Sequence, residues 1–114
     1  MFAGSLKGGR KMIIVNTPDL KNREYEEIEM VTGSIVLSKH IGKDIMAGLK
    51  TIVGGELEGY TEMLIDARAQ AVERMKSRAK QLEADAVVNV RFATSAIMQA
   101  AAEVVAYGTA IKFK

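Results

Sequence analysis

A single apolar stripe through residues 60–83 predicts one long amphipathic helix, and this helix constrains the fold more than any other feature. The stripe recurs at steps of three or four residues, which is the spacing of one helix face. Its members are Tyr60, Leu64, Ala67, Ala71, Met75, Ala79 and Leu82. At roughly 1.5 Å per residue the helix is about 36 Å long. Its alanine-rich face permits close packing against a sheet.

Two shorter elements precede this helix. Residues 12–17 are rich in β-branched side chains and end at Pro18, which predicts a short strand followed by a turn. Residues 40–52 carry an apolar stripe at four-, four- and three-residue steps, which predicts a short helix. A glycine-rich joint between the two helices allows the chain to leave one and enter the other. Its glycines are Gly54, Gly55 and Gly59.

Residues 27–37 predict a second strand in which the apolar face changes. The apolar residues of one face are Ile28 and Met30, and those of the other are Val31, Ile35 and Leu37. The change near Thr32 and Gly33 predicts a bulge or a bend at that point.

Residues 87–98 and 101–113 predict a β-hairpin that turns at residues 99–100. Each arm is apolar on most of both faces. In the first arm, Val88, Val90 and Phe92 are predicted to lie opposite Val87, Asn89, Arg91 and Ala93. In the second arm, Val105, Tyr107, Ile111 and Phe113 are predicted to lie opposite Ala102, Val104, Ala106 and Ala110.

The predicted hairpin is longer than the domain that carries it. Twelve or thirteen residues at about 3.3 Å each give arms of about 40 Å. A domain of about 100 residues has a radius of gyration near 13 Å, hence a diameter of roughly 34 Å. The arm therefore overhangs the core and exposes an apolar tip at residues 96–98. Since soluble monomers rarely expose such surface, we expect a neighbouring subunit to cover it.

Composition limits the class of protein. The 114 residues fit one domain, and 48% hydrophobic with 26% charged residues is too apolar for disorder. The absence of cysteine excludes disulfides, thiolate metal ligands and cysteine nucleophiles. No apolar run reaches the 18 residues of a membrane span, and no secretory signal is present. We therefore expect a cytoplasmic protein without a membrane partner, and the lack of interleaved aromatic and basic residues argues against nucleic acid.

The start of the chain differs from the rest in charge. Residues 1–23 carry five basic side chains and one acidic side chain, a balance of +4. We interpret residues 1–11 as a flexible basic leader or a remnant of cloning, in preference to a polyanion-binding arm. Residues 12–114 are then the single folded domain.

The glycine-rich joint has the outline of a phosphate-binding loop but lacks its chemistry. Residues 54–59 fit G-x-x-x-x-G, yet Tyr60 stands where lysine would neutralise the β- and γ-phosphates. Glu56 and Glu58 would repel an anion, and the joint follows a helix rather than a strand. We therefore expect a structural joint and no nucleotide hydrolysis.

A metal centre is equally poorly supported by the residues. His40 and Asp44 are one helical turn apart, but one histidine without cysteine is a poor basis for zinc or copper. Carboxylates alone suit calcium or magnesium. We expect no cofactor and no metal, with His40 as the single candidate ligand.

Four polar residues in the last third are candidates for a ligand or interface site. They are Asp85, Asn89, Arg91 and Tyr107. Together they could form a polar pocket between subunits. The alternative, which we prefer, is structural: Asp85 accepts hydrogen bonds from free backbone N–H groups, and Arg91 pairs with an acid across an interface.

Several motifs together resemble the YbjQ family, over residues 12–113. They are Val31-Thr32-Gly33, His40-Ile41-Gly42-Lys43-Asp44-Ile45, Ile52-Val53-Gly54-Gly55-Glu56, Tyr60, Ala84-Asp85-Ala86-Val87-Val88-Asn89-Val90-Arg91-Phe92 and Ala106-Tyr107-Gly108-Thr109-Ala110. The resemblance implies a small subunit with a dodecin-like fold in a closed homo-oligomeric ring, a pentamer. It also carries a label of heavy-metal binding without an established activity. The chain departs from the family at Glu83, where glycine is usual, and we expect the long helix to end differently there.

These observations predict an α+β subunit of two layers, with an antiparallel sheet, one long helix and one short helix. The predicted function is a non-catalytic homo-oligomeric module that binds a small ligand or a partner at subunit interfaces. Two alternatives remain: an enzyme whose site forms between subunits from groups such as Asp85, Arg91 and Tyr107, and a metal-binding protein.

Overall fold

The computed structural model describes residues 11–38, 58–98 and 101–114. These ranges contain four strands and one helix. In chain order they are β1 (Ile13–Ile14), β2 (Tyr25–Ser38), α1 (Glu58–Gln81), β3 (Ala86–Met98) and β4 (Ala101–Phe113). The predictions for the leader, His40, the helix at 40–52, Gly54, Gly55 and the turn at 99–100 lie outside the described residues. Gly59 lies in the first turn of α1.

The strands form one sheet in the order β1-β3-β4-β2, and α1 packs on one of its faces. The pairs β2–β4 and β3–β4 are antiparallel, whereas β1 runs parallel to β3. The predicted two-layer α+β architecture is therefore confirmed. The long strand pairs are antiparallel as predicted, and the sheet is mixed because the short strand β1 lies beside β3 and runs parallel to it.

Helix α1 packs through the predicted stripe. Ala67, Ala71, Met75 and Ala79 are all buried. The helix lies directly on the backbone of β2, since a Cβ atom added at Gly33 would lie 2.3 Å from the Ala71 carbonyl oxygen and from the Met75 amide nitrogen. Within the described ranges, no helix is both long enough and apolar enough to cross a membrane.

The bulge of β2 lies four residues before the predicted place. The register with β4 shifts between Glu27 and Glu29, so Ile28 is the extra residue. Ile28 packs against the core under α1, whereas the side chain of Met30 is 65% exposed. The prediction that these two residues share a face is therefore wrong, because the bulge changes the alternation between them.

A second bulge reorders the faces of β3. The register with β4 shifts between Val88 and Arg91, and Asn89 has a φ of 57°. Val87 and Val90 both pack in the core under α1, whereas Val88 joins a second cluster on the opposite face. The predicted common face of Val88 and Val90 is wrong for this reason. The predicted faces of β4 agree with the two clusters.

The end of α1 keeps the geometry that glycine normally provides. Glu83 has a φ of 62°. The amide of Ala84 donates to the Ala79 carbonyl at 3.0 Å, and the amide of Glu83 donates to the Lys80 carbonyl at 2.9 Å. These two bonds are those of a Schellman motif. The expectation of a different helix end is therefore wrong, and Glu83 adopts the left-handed conformation although it has a side chain.

We expect Glu83→Gly to raise the free energy of unfolding by about 1 kcal/mol, because glycine lacks the Cβ that disfavours left-handed backbone. Urea unfolding of both proteins at one concentration measures the difference. Glu83→Ala is the control, since it removes the carboxylate but keeps the Cβ and gains no such stability. Equal stability of the glycine and alanine variants would contradict the prediction.

Candidate ligand and interface site

Asp85 closes the corner between the end of α1 and the sheet. Its Oδ2 atom accepts a hydrogen bond from the Phe113 amide at 2.8 Å, and its own amide donates to the Ile111 carbonyl at 2.8 Å. Asp85 therefore joins the start of β3 to the end of β4. This geometry is the one that the structural interpretation of Asp85 predicts.

Asn89 holds the bulge of β3 against the segment that follows β1. Its amide donates to the Thr17 carbonyl at 2.8 Å, and the Val90 amide donates to the Val15 carbonyl at 3.1 Å. Asparagine tolerates the positive φ that this arrangement needs better than most residues. The side chain of Asn89 is exposed, so the structural contribution of this residue comes from its backbone.

Arg91 and Tyr107 are the two candidates that the fold brings together. They are register partners on β3 and β4, on the face opposite α1. Arg91 Nη1 donates to the Asn16 carbonyl at 2.9 Å, and no described residue gives the Tyr107 hydroxyl a hydrogen bond. Within the described ranges, Arg91 donates to the carbonyls of Asn16 and Val90, and its pairing with an acid across an interface stays a prediction.

The four candidates do not form one pocket. Asp85 precedes the Ala86–Ile111 register pair, which lies four β4 residues from the Arg91–Tyr107 pair. At about 3.3 Å per residue this separation is about 13 Å. The arrangement divides them into a structural corner at Asp85, a structural bulge at Asn89 and a surface pair at Arg91 and Tyr107.

The surface pair borders an uncovered area of the sheet. We call the face opposite α1 the outer face. At one end, its buried residues Ala86, Val88 and Ile111 are covered by side chains from the 15–25 segment and by Phe113. Beyond this cover the outer face carries exposed apolar side chains, those of Met30, Val36 and Met98. Arg91 and Tyr107 stand where the covered part ends.

A groove of about 420 Å³ lies between β2 and α1, and the sequence pattern did not predict it. Its lining residues are Ser34, Ile35, Val36, Leu37, Gln70 and Arg74. Arg74 Nη1 donates to the Ser34 carbonyl at 2.7 Å. We call it the β2–α1 groove. The signal that could have found it is the pair Gln70 and Arg74, one helical turn apart beside the buried stripe.

The described residues do not fit a heavy-metal centre. Among them, no three histidine, cysteine, aspartate or glutamate side chains are grouped closely enough to hold an ion. Heavy-metal sites need soft or borderline donors at short distances. The chain has no cysteine, and its one histidine, His40, lies outside the described ranges.

Comparison with known proteins identifies relatives over nearly the whole chain. The YbjQ family model, described as "Putative heavy-metal-binding", matches residues 12–114. A UPF0145 protein of Clostridium novyi is 57% identical over 101 residues, which is 89% of this chain and 98% of the relative. One of Archaeoglobus fulgidus is 57% identical over 106 residues, or 92% of this chain and 98% of the relative. The resemblance predicted from the motifs is confirmed.

A solved structure shows the same fold at low sequence identity. It is a protein of unknown function from Pediococcus pentosaceus, assigned to the DUF74 family. The TM-score is 0.64 at 19% identity, and the match covers 90% of this chain and 98% of the other.

Proposed function

Because this chain belongs to the YbjQ family, whose relatives carry the name UPF0145, we propose that it is a non-catalytic homo-oligomeric module. Its subunits form a closed ring, of five copies by the resemblance described above. A small ligand or a partner binds at the interfaces between subunits.

The observation that supports this proposal most is the exposed arm of the hairpin. Residues 91–98 of β3 are all exposed, and at the tip the side chains of Ile97 and Met98 are 50% and 67% exposed. The Cα radius of gyration is 17.2 Å, compared with about 13 Å for a compact domain of about 100 residues. An elongated subunit with an apolar arm needs a neighbour to cover that arm.

The surface pair supports a ligand of negative charge. Arg91 has a guanidinium whose Nη2 donates to no described residue, and Tyr107 is its register partner on the same face. A guanidinium and a hydroxyl together suit a carboxylate or a phosphate group. The metal binding suggested by the family description finds less support, since the described donors do not fit a heavy metal.

We expect native mass spectrometry of protein taken directly from cells to detect a ring of five subunits. A stable, folded monomer of 12.4 kDa would contradict the proposal, and another closed ring would correct only the subunit number. The same spectrum reports any retained ligand. Submicromolar, stoichiometric zinc or copper binding that is lost in His40→Ala would favour the metal-binding alternative.

A further inference from the structure

The large exposed apolar side chains are concentrated on strands that have an unpaired side. Among the described residues there are seven of them: Ile13, Met30, Val36, Ile65, Phe92, Ile97 and Met98. Six lie on β1, β2 or β3, and none lies on the central strand β4. The apolar surface that needs cover therefore follows the edges of the sheet.

Two of these edges are long and unpaired within the described residues. Along the edge of β2 that faces away from β4, the Ser34 carbonyl accepts a hydrogen bond from the side chain of Arg74 and from no other described residue. On β3, backbone hydrogen bonds to the 15–17 segment end at Val90, and residues 92–98 have no strand beyond them. Unpaired edges of this length are sites at which another strand can add.

The two free edges lie at the same level on opposite sides of β4. Residues 33–38 of β2 pair with residues 101–106 of β4. Residues 92–98 of β3 pair with the same six β4 residues from the other side. If a second subunit pairs with one of these edges at the same level, it is rotated about an axis parallel to the strands and is not shifted along that axis.

We infer that the free edge of β3 in one subunit pairs with the free edge of β2 in the next, and that Phe92 enters the neighbour's β2–α1 groove. The inference rests on the proposed ring and specifies its interface. Phe92 lies opposite Ala106, which packs under α1, so its side chain is on the helix face of the sheet. It is 46% exposed, and the groove beside the β2 edge offers it the apolar side chains of Ile35 and Leu37.

This pairing uses two different surfaces, so it is heterologous and produces either a ring or a filament. Both β2 and β3 run antiparallel to β4 and hence share one direction, so rotation about an axis along the strands pairs them in parallel. Pairing of residues at the same level gives the contact no rise along this axis, which a closed ring requires. Symmetric pairing of β2 with β2 would leave the apolar edge of β3 uncovered.

Two variants each disrupt one half of this interface. Phe92→Arg replaces the apolar ring by a second positive charge beside Arg74, which lines the groove. Val36→Pro removes an amide donor from the β2 edge: the Ser34 backbone points away from β4, and alternation places that of Val36 on the same side. Each variant alone should sediment as a folded monomer, with the far-UV circular dichroism of the wild type.

Mixing the two variants tests the heterologous pairing directly. The β2 edge of Phe92→Arg and the β3 edge of Val36→Pro are both intact, so an equimolar mixture should form a one-to-one heterodimer and no ring. A homodimer of either variant alone would overturn the inference in favour of symmetric pairing. Rings that persist in both variants would overturn the edge contact while leaving the proposed ring in place. A wild-type monomer would instead refute the proposed function itself.

Ile65→Arg is the matched control. Ile65 is 50% exposed, a fraction similar to the 46% of Phe92, but it lies on α1 and at neither edge of the sheet. The ring should persist in this variant, and its dissociation would show that the effect of Phe92→Arg is not specific to the edge. If Val36→Pro fails to fold, Gln70→Trp replaces it, since a bulky side chain at Gln70 fills the groove from the exposed side of α1.

Discussion

Replacing Gly33 with alanine should lower the free energy of unfolding by about 3 kcal/mol, at the upper end of the usual cost of overpacking. The added Cβ would meet the backbone of α1 at the Ala71 carbonyl and the Met75 amide, both at 2.3 Å. Backbone atoms of a helix cannot rotate away as the end of a flexible side chain can. The helix would have to move off β2, and its buried stripe would lose contact with Val31 and Ile35.

Urea denaturation followed by circular dichroism measures this loss, with all proteins at the same concentration because assembly adds to apparent stability. Thr32→Ala is the matched control, since Thr32 is the preceding residue of β2 and is exposed on the outer face. Its substitution should change the free energy of unfolding by less than about 0.5 kcal/mol. A Gly33→Ala variant as stable as this control would show that α1 does not rest on β2 as described.

The parts of the fold that sequence predicted are those with local signals. The stripe that contains Ala67, Ala71, Met75 and Ala79 repeats at helical spacing, so its burial follows from the pattern whatever α1 packs against. The hairpin of β3 and β4 is also local, since the two strands are adjacent in the chain. Both elements agree with the structure within about two residues at their ends.

The errors come from interactions between distant segments. The direction of β1 depends on its pairing with β3, more than 70 residues later. The bulge at Asn89 likewise depends on the carbonyl of Thr17. It places Val88 and Val90 on opposite faces of the sheet, although simple alternation predicts that they share one. The sequence pattern of residues 87–98 does not predict that contact. An alternating pattern therefore predicts the faces of a strand only as far as the next bulge, and the position of this bulge depends on a distant segment.

The candidate site shows the same division. Asp85 stands at a helix-to-strand corner that the sequence marks, and its contact with the Phe113 amide agrees with the role predicted for it. The β2–α1 groove, in contrast, lies next to the place where the backbone of α1 approaches Gly33. Its lining residues come from two elements separated by more than 30 residues, so the spacing of Gln70 and Arg74 on α1 indicates one wall of the groove and not the other.

The Ile111→Asp substitution should abolish cooperative folding, because it places an unpaired carboxylate where the isoleucine is 0% exposed. The cost of such a buried charge is of the order of the whole stability of a small domain, about 5 kcal/mol or more. The cluster around it is apolar, and its described members are Ala86 and Val88 with Val15, Leu20, Tyr25 and Phe113 packed against them. Thermal denaturation should show no transition.

Val105→Asp makes the same change on the same strand and the same outer face, but at a half-buried position beyond that cluster. An aspartate there keeps contact with water in a separated subunit, so the subunit should fold and the loss should fall on assembly. Sedimentation velocity should then detect folded monomer where the wild type forms rings. If both variants unfold alike, Val105 belongs to the core of the subunit. If both variants assemble normally, the outer face at Val105 takes no part in the ring. A folded Ile111→Asp would place the boundary between the fold and the interface elsewhere on β4.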